Sequence, residues 1–159
     1  MTNLKRLLVK LGACSEAVKW TNGKELAEAW ANCERADWML WLVGHMAGQE
    51  GWPTLQQIVL VACRFAEDAL PIFEKKYPDD ERPRQAIEVT RLWCEGKATI
   101  KEVRKVRSAA YASAYAAAAA DAAAVAHAAV RDKKQKEYAD IIRQELVIPA
   151  VEFVAGKRT

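Results

Sequence analysis

The residues best suited to do something chemical in this chain are Arg35, Asp37, Trp38, Trp41, Arg64, Arg84 and Glu88. Tryptophan beside arginine and aspartate suits a planar or anionic ligand. The ring stacks, the guanidinium offers a two-pronged donor and the carboxylate accepts. The same residue types also build cores and surface ion pairs. Trp30 and Trp93 read as core. For Arg35, Asp37, Trp38 and Arg84 a ligand pocket and a structural network stay about equally open. Arg64–Asp68, Arg84–Glu88 and Arg91–Glu95 each stand four apart, the spacing of surface pairs on one helix. Asp37 also suits a helix cap ahead of Trp38.

Other chemistry finds less support. A nucleophile needs its base within hydrogen-bond reach. On one continuous helix Cys33 and His45 would stand about 18 Å apart, which excludes that pair. No glycine-flanked serine elbow, phosphate-binding glycine loop or zinc-protease histidine pair occurs. Cys14, Cys33, Cys63, Cys94, His45 and His127 lack the paired spacing of a zinc site. The scattered cysteines read as buried thiols. The expectation is therefore no catalytic residue, no metal and no cofactor.

Charge argues the same way. The 24 basic residues nearly cancel 21 acidic ones, leaving +3. Two basic clusters, Lys101-Arg104-Lys105-Arg107 and Lys133-Lys134-Lys136, have no interleaved aromatics for base stacking and read as solvated faces. Nucleic acid is not favoured. No apolar run approaches the roughly 20 residues of a membrane span. The opening segment is broken by Lys5, Arg6 and Lys10. These features lead us to expect a soluble, cytoplasmic protein.

The elements that must position these groups are helices. Leu4, Leu7, Leu8 and Leu11 mark a first helix closed by Gly12, and Ser15 suits the cap of a second. A third runs from about Lys24 into Cys33. Trp38, Trp41, Leu42 and His45 then form an apolar stripe. Thr54 suits the cap of a helix that Pro71 should kink. Pro83 suits the first turn of the next helix, which should stop at Gly96. Thr99 and Glu102 form a capping box. Beyond them the alanine-rich stretch predicts a helix to Arg131, about 45–50 Å long if unbroken. Asp121 within it reads as solvent-facing. Asp132 with Gln135 suits the cap of a last helix carrying Tyr138, Ile141, Ile142 and Leu146.

An apolar fraction of 52% is ample for one core, and glycine and proline are scarce, with 7 and 5 copies. The pattern predicts an all-α, single-domain bundle over residues 1–159. It should have about seven or eight helices packed around the alanine-rich helix. The tryptophans should dominate the core, and residues 153–159 should fray.

The run AWANCERADWMLWLVG, with PRQAIEVTRLWCEG and an alanine-rich helix after it, resembles a family of bacterial immunity proteins of polymorphic toxin systems. Trp30, Cys33, Arg35, Asp37, Trp38 and Trp41 carry the first part of the likeness. Pro83, Arg84, Ala86, Ile87, Glu88, Trp93 and Gly96 carry the second. The likeness spans roughly residues 14–130. It implies a small intracellular, non-enzymatic protein that binds and neutralises a toxic protein partner. A small-molecule binder holding a nucleotide-like or other anionic ligand in an Arg/Trp pocket is the alternative. A hydrolase-type enzyme using Asp37 or Glu88 as acid or base ranks third. A homodimer through close packing of the alanine helix is also open.

Overall fold

Local signals set several of the helix ends. In a computed structural model that describes residues 2–107 and 128–149, the first helix, α1, is Asn3–Leu11. Thr2 Oγ1 accepts from the Lys5 N–H at 3.3 Å. Gly12 closes the helix with φ 78°, and the Ala13 N–H returns to the Leu8 carbonyl at 2.9 Å. Three short helices follow: α2 (Ser15–Trp20), α3 (Leu26–Asn32) and α4 (Ala36–Met46). Ser15 opens α2 from inside, with Cys14 at the cap position and no side-chain cap.

The long α5, Leu55–Lys76, starts with a reciprocal cap. Thr54 Oγ1 accepts from the Gln57 N–H, and Gln57 Oε1 accepts from the Thr54 N–H at 2.8 Å. The helix runs through Pro71, whose ring is exposed. The next helix, α6 (Arg82–Cys94), carries Pro83 in its first turn and closes at Gly96, φ 73°. A further helical segment, α7, occupies residues 100–107. Thr99 and Glu102 cap it reciprocally. The last, α8, is Ala128–Glu145.

The chain is all-α: every regular element among the described residues is helical. The alanine tract, residues 108–127, with Asp121 and His127, lies outside those residues. The expected long helix through it therefore does too, as does the tail 153–159. Asp132 does not cap α8, because the helix starts upstream of it.

The chain gathers into two compact units. One joins Met1–Ile58 to Arg131–Thr159; the other is Val59–Val130. The first unit buries Leu4, Leu7 and Leu8 of α1, Ala29 of α3, Met39, Val43 and Met46 of α4, and Ala139 and Ile142 of α8. Each fully buried Leu, Val, Ile or Met side chain contributes about 1.5–3 kcal/mol. The second unit buries Val61, Cys63, Phe65 and Leu70 of α5. Its α6 has no fully buried residue.

Two expectations about packing are corrected. The buried face of α4 is Ala36, Met39, Leu42, Val43 and Met46, whereas Trp38 and Trp41 are half-buried and His45 is exposed. A helix apolar on most sides lets the core choose, and here slender Met and Val fill it while the indoles lie at its margin. Nor do tryptophans dominate the core. Trp52 is buried, and Trp20, Trp30, Trp38, Trp41 and Trp93 are half-buried. Trp30 and Trp93 are thus only partly core.

Candidate functional site

The site grows from the short link between α3 and α4. Cys33, Glu34 and Arg35 leave α3 in extended conformation, which exposes carbonyls at one helix end and N–H groups at the next. Nearby side chains serve only part of them: the Asp37 carboxylate accepts from the backbone N–H groups of Asp37 and Trp38. Arg35, at the N-cap of α4, makes no side-chain cap. Further partners come from α8. Gln135 Oε1 accepts from the Asp37 N–H at 3.1 Å. Arg143 donates from Nη1 to the Trp30 carbonyl at 3.0 Å and the Cys33 carbonyl at 2.7 Å. A cation at the C-terminal end of α3 also meets the negative end of the helix dipole. Asp140 accepts from Arg143 Nη2 at 2.6 Å and holds the guanidinium in place.

With the link fixed, its side chains are fixed too. Arg35 donates from Nε and Nη2 to the two carboxylate oxygens of Asp37, at 2.9 and 2.7 Å. Its guanidinium carbon lies 4.5 Å from the centroid of Trp38, a cation–π contact. Trp38 meets Trp20 of α2 at 6.1 Å between centroids, tilted by 58°. Lys24 covers Trp20 at 4.5 Å and donates to its carbonyl at 2.6 Å. Two tryptophans thus stand side by side, each with its own cation. They border an open groove of about 500 Å³ with Glu34, Asp132 and Lys136. Lys136 pairs with Glu34 at 3.0 Å. Beneath lies a cavity of about 50 Å³ lined by residues such as Leu4, Ala29, Trp30 and Met39.

The electrostatics are those of a fixed surface. The hydrogen-bonded Arg35 holds the Asp37 carboxyl below the usual carboxylate range, against the desolvation that would raise it. A carboxylate locked in its ionised form is poorly suited to act as a general acid near neutral pH. Its N–H is bonded by Gln135 and its oxygens by Arg35.

The residues singled out from sequence fall into both units. Arg35, Asp37 and Trp38 come together as described. Trp41, on the same helix, stacks on His45 at 4.1 Å, with His45 Nδ1 2.8 Å from the Trp41 carbonyl oxygen. Arg64, Arg84 and Glu88 belong to the second unit, where all three are exposed. Arg84 does not pair with Glu88. It makes a two-pronged bridge to Glu74 at 2.7 Å for each bond, tying α6 to α5. Arg91 likewise bridges to Glu67, at 2.5 and 2.7 Å, and Glu95 pairs with Lys97. The same-helix pairs expected for these two arginines give way to pairs between helices.

Sequence reasoning missed Arg143 and the long-range use of Gln135 and Lys136. Gln135 drew notice only as a local cap. Arg143 had no signal beyond being a cation late in a helix. Among the described residues, no group of three His, Cys, Asp or Glu side chains is placed to hold a metal ion, and no helix is long and apolar enough to cross a membrane.

Fold and site together define an all-helical protein with a rigid aromatic and cationic patch at the junction of α3 and α4. Comparison with protein families gives the class a name. Residues 54–138, more than half of the chain, match the family described as "Imm-5 like putative immunity protein". The chain belongs to this Imm-5-like immunity family. The match takes in Arg64, Arg84 and Glu88 and stops short of Arg35, Asp37, Trp38 and Trp41, so only the second of the two sequence runs lies within it. No curated protein and no solved structure matches the chain.

Proposed function

We propose that this chain is a non-enzymatic, cytoplasmic immunity protein that neutralises a protein toxin by occluding it. The family match over residues 54–138 carries the reading. The patch at Trp20 and Trp38 supports it. Interfaces draw most of their energy from a few rigid tryptophan and arginine side chains. Here both indoles and both cations are already held in place, so little side-chain entropy remains to be lost on binding.

The test is protection. A host strain lacking this chain should lose viability when grown against its parent, and expression of the chain should restore it. Native mass spectrometry of the protein from that host should show a second polypeptide in fixed ratio. Trp38→Ala should weaken that complex by about tenfold or more while the protein stays folded. Equal survival of the deleted strain and its parent, with the chain recovered only as a monomer, would overturn the proposal.

A further inference from the structure

The α7 segment in the second unit carries a feature that the groove does not explain. Lys101, Arg104, Lys105 and Arg107 are all exposed, while Val103 and Val106 are half-buried. Lys101, Lys105 and Arg107 have no ion-pair partner among the described residues. The one acid in the segment, Glu102, is engaged: it accepts from both the N–H and the hydroxyl of Thr99. Helix stability does not account for Lys101, which sits in the first turn, where the dipole disfavours positive charge. Ile100 is 47% exposed beside them. With Arg104 and Arg107 it makes an i, i+4, i+7 stripe, flanked by Lys101 and Lys105.

We infer that this face of α7 docks an acidic surface of the protein partner, with Ile100 as its apolar anchor. The inference rests on the immunity reading and adds the chemistry of what is bound. Charge complementarity selects the occupant. A second copy of the chain fits less well. Its acidic loop at Asp79–Glu81 has Asp80 already bonded to Arg82, and such a head-to-tail contact would build a ring or an open chain of copies rather than a two-fold pair. A phosphate backbone would leave Ile100 without an apolar partner.

The experiment compares wild type, Lys101→Glu/Lys105→Glu and Lys101→Gln/Lys105→Gln in the deleted host. Glutamate in the first turns favours the helix, so the charge-reversed protein should fold, as circular dichroism and Tm will show. Wild type should protect, the Glu variant should lower survival by about tenfold or more, and the Gln variant should fall between. The purified proteins are also titrated against a labelled DNA duplex of about 20 base pairs at roughly 150 mM salt. Wild type should not bind it. Full protection by a folded Glu variant would overturn the acidic-partner inference and leave the immunity reading standing. Duplex binding by wild type that the Glu variant loses would assign the face to nucleic acid and overturn it too. Failure of wild type itself to protect would bring down both.

Discussion

Arg143 Nη1 donates to the Cys33 carbonyl oxygen at 2.7 Å across 110 positions of chain. The same nitrogen serves the Trp30 carbonyl, so one guanidinium closes the C-terminal end of α3. Arg143→Ala should leave both carbonyls without this donor and cost about 2 kcal/mol. That corresponds to a Tm lower by about 4–8 °C. Arg143→Lys should recover part of the loss, because an ammonium can reach a carbonyl but lacks the planar fork. Thermal and urea denaturation check both.

Asp37 gives a prediction for acid. Its folded pKa is depressed by Arg35, so its contribution to stability is present above the ordinary carboxylate range, about pH 4, and is lost as pH falls through the depressed value. Asp37→Asn should flatten that part of the acid limb in a denaturation series. The effect should be modest and should shrink in salt, because the two side chains are 43% and 46% exposed.

The thiols should separate by rate. Cys14 is exposed, whereas Cys33 and Cys63 are buried. Burial pushes the Cys33 and Cys63 thiols up, which leaves even less thiolate to react. An aromatic disulfide reagent at about pH 8 should modify Cys14 first. Cys33 and Cys63 should follow only as the protein opens. Cys14→Ser should remove the fast phase and leave the slow one.

The Arg91–Glu67 bridge should matter less than its geometry suggests. Both side chains are about two-fifths exposed, at 40% and 39%. A double-mutant cycle should return a coupling below about 1 kcal/mol that falls further with added salt.

The parts of the fold legible in sequence are those decided within a few residues. The Thr54 cap, the Thr99–Glu102 box, the Gly12 stop and Pro83 in a first turn all follow from local backbone needs. The buried side of α4 was not legible, since Trp38 and Met39 are both apolar and only the surrounding helices decide between them. The site was half legible. Arg35, Asp37 and Trp38 stand within one turn and find each other. Arg84 could choose between Glu88 on its own helix and Glu74 on another, and spacing alone favours the wrong one. The hold of Gln135 and Arg143 on the α3–α4 link joins residues about a hundred positions apart, and no local pattern records it.

Because Gln135 and Arg143 complete the α3–α4 junction, synthesis order bears on when that junction can mature. The first unit is made of two pieces of chain with the whole of the second between them. On the ribosome, α1 to α4 emerge early and must wait, with the Asp37 N–H and the Cys33 carbonyl still wetted by solvent, until α8 clears the exit tunnel. The junction that carries the aromatic patch is therefore completed only late in translation, after the second unit has been made. A nascent chain stalled before α8 would carry Trp20, Trp38 and their cations but not the Gln135 and Arg143 side chains that complete the α3–α4 link.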